Sequence, residues 1–150
     1  MLSFGNPDGA GGRGPVSEPE CGMGPLLEVC AASPASARAA LEGGADRIEF
    51  CWNLQVGGLT PDRWEIERLA ETFPLPVHVL VRPRAGDFVY DAEEFACVLD
   101  EIRQCREAGA AGVVTGCLTT TGDPDVDRMR RVIDAADGLH VPLGGPEALT

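Results

Sequence analysis

Between residues 26 and 141, short apolar runs alternate with longer stretches in which apolar residues recur every three or four positions. The short runs have the length and β-branched character of strands, and the longer stretches have the period of amphipathic helices. This alternation is typical of βα units that build a parallel sheet. The predicted strands are 26–30, 47–51, 77–82 and 112–117, and the predicted helices are 34–42, 62–72, 92–107 and 125–136.

Helix boundaries carry recognisable signals. Ser33 before Pro34 predicts an N-cap followed by a first-turn proline, and Thr60 before Pro61 predicts the same arrangement for the second helix. The apolar positions of the second helix, which include Trp64, predict the face that packs on the sheet. In the third helix, the cysteines at positions 97 and 105 are also expected to pack in the core.

Four βα units followed by the start of a fifth strand favour an α/β fold of the TIM-barrel type, incomplete at about four of eight units. Polar strand ends and short glycine-rich loops support this choice over the alternative, an open doubly wound sheet. A GxGxxG fingerprint after the first strand is absent from the sequence. We expect a disordered Gly/Pro-rich tail at 1–25, the partial barrel at 26–141 and a divergent tail at 142–150, where prolines and glycines interrupt the fifth strand.

The chain carries a formal charge of −12, and every one of its 12 cationic residues is an arginine. Without lysine, Schiff-base chemistry is excluded, because it needs a primary amine. An acidic chain without a basic stripe is a poor partner for nucleic acid or an anionic membrane. With no signal-peptide pattern and no CxxC pair among six cysteines, we expect reduced thiols and a cytoplasmic location.

The first two predicted strands both end in the pattern Glu-x-Cys. In parallel α/β folds, functional groups gather at the carboxyl ends of the strands. Cys30 and Cys51 are therefore predicted to lie side by side at equal depth, with Glu28 and Glu49 one layer below. Two neighbouring thiols form a soft site that selects Cu(I) or, less exclusively, Zn. The alternative is that both cysteines are small buried hydrophobes.

Buried carboxylates at Glu28 and Glu49 need partners, and Arg47, Arg82 and Arg84 are available. One interpretation is a structural network of ion pairs. The other is a polar pocket for an anionic or carbonyl-bearing small molecule, in which a glutamate acts as a general base and the two arginines of the third strand's end hold the anion.

Several segments together resemble the CutC copper-homeostasis family. They are LLEVC, GGADRIEFC, GGLTP, PVHVLVRPRAGDFVY and GAAGVVTGCLT, in unbroken order within residues 26–141. The resemblance implies a cytoplasmic TIM-barrel-like protein that handles copper, is proposed to bind Cu(I) and commonly self-associates. Carried over by motif, Cys30 and Cys51 are the copper-ligand candidates. The same motifs place five further residues in the family's cleft: Glu28, Glu49, Arg82, Arg84 and Asp87.

The chain departs from the family pattern at two places. Ala85 replaces the first glycine of the RPRGGDF motif, and the pattern ends after Val141, where an HRAFD-type strand is expected. This second departure suggests a C-terminally truncated member or isoform. Three functions follow as hypotheses: a Cu(I)-binding homeostasis protein, an enzyme-like or anion-binding barrel, and a truncated isoform without activity of its own that interacts with longer family members, with a homo-oligomer as a further expectation.

Overall fold

A computed structural model describes residues 25–142 of the chain. It contains four parallel strands in the order β1-β2-β3-β4, each followed by a helix. The strands are β1 (Glu28–Ala31), β2 (Arg47–Phe50), β3 (Val77–Leu80) and β4 (Gly112–Val114). The helices are α1 (Pro34–Glu42), α2 (Arg63–Thr72), α3 (Ala92–Glu107) and α4 (Val126–Ala136), with a 3-10 turn at Leu54–Val56. The predicted order of βα units is confirmed.

The hydrophobic core lies between one face of the sheet and the helices. Ile48 and Phe50 of β2 and Val79 of β3 are buried in it, as are Phe95 and Ile102 of α3. Because successive side chains of a strand point to opposite faces, the alternate residues of the same strands lie on the other face of the sheet. That second face carries the polar residues that the strand-end pattern predicted.

Helix α1 begins as its sequence predicts. The Ser33 side chain accepts a hydrogen bond from the Ser36 amide, and the Ser36 side chain accepts one from the Ser33 amide, which completes a capping box. The prediction for α2 was wrong, because its N-cap is Asp62 rather than Thr60. The Thr60 hydroxyl instead accepts a hydrogen bond from the Arg82 amide and donates one to Glu101.

The predicted ranges of β2, β3 and β4 extend past the observed carboxyl ends, whereas β1 begins two residues later and ends one residue later than predicted. The ladder of β4 ends at Val114, three residues before the predicted end, and Thr115 then donates its hydroxyl hydrogen to the Val81 carbonyl. Of the predicted fifth strand, His140 pairs with Gly112 as an isolated parallel bridge. Except for residues 25 and 142, the predicted tails at 1–25 and 142–150 lie outside the described residues. Within the described part of the chain, no helix has the length and apolar character needed to cross a bilayer.

Candidate functional site

The two candidate thiols are neighbours. The Sγ atoms of Cys30 and Cys51 lie 3.5 Å apart, although the residues belong to different strand ends separated by 21 positions in the chain. Cys30 is exposed, whereas only 1% of Cys51 is accessible to solvent. The pair therefore has one sulfur at the surface and one beneath it.

The strand register differs from the predicted one. Cys30 is paired with Glu49 across the β1–β2 ladder, and Glu28 is paired with Arg47. Cys51 thus lies two residues beyond the partner of Cys30, not at equal depth, and the two thiols meet diagonally. The predicted layer containing both glutamates is wrong for the same reason, because Glu49 shares its level with Cys30.

Hydrogen bonding between the thiols makes them chemically unequal. It lowers the pKa of Cys30, against the opposing effects of burial and of the nearby carboxylates of Glu49 and Glu28. The same contact raises the pKa of Cys51, and burial adds to that increase. A thiolate at Cys30 accepts the hydrogen bond that the Cys51 thiol donates. Since the thiolate is the form that binds metals, Cys30 is the residue better prepared to act as a ligand.

Two carboxylates lie beside the thiols in different environments. Glu28 forms an ion pair with Arg47, and its Oε2 atom is 3.7 Å from Nδ1 of His78. The pKa of Glu49 is raised, mainly by burial and then by the negative charge of Glu28, and Arg47 opposes the increase. Of the three arginines considered as partners for Glu28 and Glu49, Arg47 forms the ion pair.

His78 belongs to this polar face, although its position early in a strand gave no sign of it. Its side chain is fully buried, and its ring centroid is 5.1 Å from that of His140. A Cβ atom at Gly112 would come within 2.7 Å of His78 Nε2 and within 2.6 Å of the His140 carbonyl oxygen. Glycine at position 112 therefore allows the histidine to lie flat against β4.

Arg82 lies at the end of β3 with 6% of its surface exposed. Its Nη1 donates to the carbonyl oxygens of Val56 and Gly58, and its Nη2 donates to that of Gly86. The guanidinium also lies over the Phe88 ring, 5.0 Å from its centroid. Arg82 therefore bonds to the backbone of two separate loops, one after β2 and one after β3.

Arg84 is directed toward helix α3. It forms an ion pair with Glu94 and contacts Asp87 at 3.1 Å, and it donates to the Val89 carbonyl. The hydrogen bond from Arg84 holds the pKa of Glu94 below its usual range. The sequence placed Arg82, Arg84 and Asp87 in one turn, and the structure places them there. Arg84 donates to Asp87, whereas the Arg82 guanidinium donates to loop carbonyls.

The loop after β2 covers Cys51. Gly57 and Gly58 adopt φ values of +88° and +89°, a region that favours glycine. A Cβ atom at Gly58 would come within 2.6 Å of Leu80 and 3.4 Å of the Cys51 Cβ. The loop backbone thus packs directly on Cys51, which explains why that thiol is buried and its neighbour is not.

Comparison with known proteins supports the resemblance seen in the motifs. The family model described as the CutC family matches residues 25–144. The chain belongs to the CutC family. Among its curated relatives, CutC family proteins of Klebsiella pneumoniae (strain 342) and Salmonella paratyphi B (strain ATCC BAA-1250 / SPB7) are 49% and 47% identical to it over 116 residues.

In both relatives, the alignment covers 77% of this chain and 47% of the relative. The chain therefore spans about half the length of the CutC proteins it matches. The solved structure of a copper homeostasis protein CutC from Streptococcus agalactiae has a TM-score of 0.73 and 29% identity, covering 77% of this chain and 57% of that one. A structure named for a phosphonomutase from Burkholderia cenocepacia J2315 has a TM-score of 0.54 at 20% identity, covers 83% of this chain and 58% of that one, and shows a shared fold alone.

Proposed function

We propose that this CutC family protein binds Cu(I) between Cys30 and Cys51 and takes part in copper homeostasis in the cytoplasm. The observation that carries the proposal is the 3.5 Å separation of the two sulfur atoms. The name of the Streptococcus agalactiae structure, a copper homeostasis protein, supports the role of copper. Soft thiolate ligands favour Cu(I) over harder divalent ions.

The number of ligands also supports Cu(I). Within residues 25–142, no group of three or more His, Cys, Asp and Glu side chains is arranged to hold a metal ion. Structural zinc sites almost always use four protein ligands, so a two-thiol site suits zinc poorly. Cu(I) is well satisfied by two thiolates, and the geometry offers two.

The distance between the sulfurs suits a bridging metal. A metal–sulfur bond of about 2.3 Å, as found for zinc, sets an upper limit of about 4.6 Å on the separation of two sulfurs that share one ion. The observed 3.5 Å is below that limit. Cys30 is exposed, so its side chain has room to move outward and open the angle at the metal.

Binding at this pair would release protons. A metal ligand must be a thiolate, and the raised pKa of Cys51 means that this thiol keeps its proton in the metal-free protein. Copper would therefore displace the Cys51 proton, and the positive charge of the ion would replace it beside Glu49. Affinity is expected to increase with pH for this reason.

A small-anion site or an enzyme-like pocket built on Glu28, Glu49, Arg82, Arg84 and Asp87 is less well supported. Arg82 donates to three backbone carbonyls and Arg84 pairs with Glu94, so these arginines already have partners inside the protein. No geometric feature of the described residues favours this second function over copper binding.

Titration of the reduced protein with Cu(I), in competition with a colorimetric Cu(I) chelator, tests the proposal. We expect one tight site in the parent protein and its loss in the Cys30→Ser/Cys51→Ser double variant, because both soft ligands are removed. Cys97→Ser is the matched control, since Cys97 is an exposed cysteine on α3. Equal affinity of the parent and the double variant would show that copper binds elsewhere or not at all.

A further inference from the structure

The hydrogen bonds of Arg82 connect the end of β3 to the loop that covers Cys51. Its Nη1 lies 2.9 Å from the Val56 carbonyl oxygen and 3.0 Å from that of Gly58. Gly58 is the residue whose backbone packs on Cys51. A single guanidinium therefore holds the segment that shields one of the two thiols.

The same side chain is attached at its other side to the turn after β3. Nη2 donates to the Gly86 carbonyl at 2.6 Å. The backbone amide of Arg82 also donates to the hydroxyl of Thr60, which follows the loop over Cys51. Among the described residues, no carboxylate lies within ion-pair distance of Arg82, so its buried charge is stabilised by carbonyl dipoles and by the Phe88 ring. A buried cation is costly unless hydrogen bonds compensate it, which makes these carbonyl contacts important for the placement of both loops.

We propose that Arg82 is a positioning residue that holds residues 56–58 closed over Cys51, so that Cys30 is the thiol through which copper enters the site. The role of Arg82 in copper entry rests on the proposed copper site. The loop clamp, which is the set of hydrogen bonds from Arg82 to residues 56–58, is a property of the metal-free protein. In this arrangement an incoming ion meets Cys30 first. It reaches Cys51 only by the diagonal contact between the two sulfurs or after the loop opens.

The base of the loop over Cys51 is closed by its own backbone hydrogen bonds, so Arg82 is not needed to hold it. Trp52 and Leu59 exchange backbone hydrogen bonds at the base of the loop, where the amide of each donates to the carbonyl oxygen of the other. The base thus remains tied when Arg82 is removed. The tip has hydrogen bonds of its own, since the Val56 and Gly58 amides donate to the Asn53 carbonyl. The Arg82 guanidinium connects this tip to the turn after β3, so its loss should free the tip from the turn, open the loop locally and leave the sheet intact.

The test is the rate at which iodoacetamide alkylates each cysteine of the reduced, metal-free protein, followed by mass spectrometry of the peptides. In Arg82→Gln we expect Cys51 to react at least about tenfold faster than in the parent, because hydrogen bonds from a charged donor that hold the closed loop are lost. Cys105 on α3 and Cys117 beyond β4 are also buried and should keep their rates. They report any general loss of structure.

Two further variants test whether the change in the Cys51 rate is specific to the Arg82 guanidinium. Arg84→Gln is the matched control, because Arg84 lies in the same turn but bonds to Glu94 and Asp87 and not to the loop over Cys51; it should leave the Cys51 rate unchanged. Arg82→Lys keeps the charge but puts one nitrogen on a shorter side chain in place of the two that serve the two loops, and it should also accelerate Cys51. The proposal is overturned if Cys51 stays slow in both Arg82 variants, or if Cys105 and Cys117 accelerate equally with it.

Because copper is absent from this assay, its result is independent of the copper titration. Selective acceleration of Cys51 together with absent copper binding would retain the clamp and reject the metal site. Unchanged alkylation together with tight copper binding would reject the clamp and retain the metal site.

Discussion

Cys30 and Cys51 are chemically identical side chains that the fold makes different. One is exposed, and its pKa is lowered by the hydrogen bond between the two thiols; the other is covered by a loop, and the same hydrogen bond and burial raise its pKa. This asymmetry arises from the diagonal register, which places Cys51 beyond the end of the β1–β2 ladder and under Gly58. The pair therefore has one thiol that meets the solvent and one that lies beneath it.

Tyr90 follows the turn that contains Arg82, Arg84 and Asp87, and it allows the free-energy cost of burying a hydroxyl group to be measured. Its side chain is 3% exposed, and its hydroxyl has no hydrogen-bond partner among the described residues. Burial is the main reason that the pKa of Tyr90 is raised to about 12. We predict that Tyr90→Phe raises the free energy of unfolding by about 1 kcal/mol, because it removes a buried polar group that gains nothing in the folded state. Urea denaturation of the parent and the variant measures the difference.

Tyr90→Leu is the control for the ring itself. The Arg84 guanidinium lies 5.3 Å from the Tyr90 ring centroid, so loss of the ring should lower stability, whereas loss of the hydroxyl alone should not. If Tyr90→Phe instead destabilises the protein by 1 kcal/mol or more, the hydroxyl has a partner such as a buried water molecule, and the interpretation of this site is wrong.

Some residue-level predictions failed for reasons of helix geometry. Cys97 and Cys105 were both expected in the core, but eight residues of an α-helix leave them about 80° apart around its axis. Cys105 is buried and Cys97 is exposed. Trp64 was expected to pack on the sheet and is 62% exposed. Apolar character alone did not indicate which side of each helix faces the core.

At the scale of elements, the start of helix α1 is determined by residues that are close together in the sequence. Ser33 and Ser36 complete a capping box at the start of α1, whereas Asp62 starts α2 without a side-chain hydrogen bond to the helix. We predict that Ser33→Ala lowers the free energy of unfolding by about 1 kcal/mol, the usual effect of losing an N-cap. Asp62→Ala is the control and should cost less than half as much, because no capping hydrogen bond is lost. Equal losses in urea denaturation would contradict this account of the caps.

Helices were easier to predict than the ends of the strands. Helix boundaries depend on nearby residues, and the predicted ranges of α1 and α3 match the observed ones. Strand ends depend on where the neighbouring chain stops pairing, so β3 and β4 are shorter than their apolar runs. Thr60 was assigned as a cap because a proline follows it, and no local signal revealed that its hydroxyl bonds to Arg82 and Glu101.

At the scale of the whole molecule, the four-stranded sheet separates two environments. Its outer face carries the apolar core with the helices, and its other face carries Glu28, Cys30, Arg47, Glu49 and His78. The alternation of apolar and polar residues in β2 was sufficient to predict this separation. The contact between the two thiols followed from the parallel order of β1 and β2.

The details of that polar face required the tertiary structure. The offset between β1 and β2, which pairs Cys30 with Glu49, is set by how the strands pack and is not visible in either strand alone. The clustering of Arg82, Arg84 and Asp87 predicted a common site, but the Arg82 guanidinium donates to loop carbonyls and Arg84 bonds to Asp87 and to Glu94 of helix α3. Side-chain direction, rather than position in the sequence, separates the two thiols from the arginine that bonds to the loop over Cys51.

X-ray absorption at the copper K edge of the Cu(I)-loaded, reduced protein shows whether two sulfur atoms hold one copper ion, as proposed for Cys30 and Cys51. We expect an edge shape typical of two-coordinate Cu(I) and a first shell of two sulfur atoms at about 2.3 Å or slightly less, by analogy with other metal–thiolate bonds. In the Cys30→Ser/Cys51→Ser variant this shell should disappear, and it should remain in Cys97→Ser. A first shell made of nitrogen or oxygen atoms, or a sulfur shell that persists in the double variant, would contradict the assignment of the site to Cys30 and Cys51.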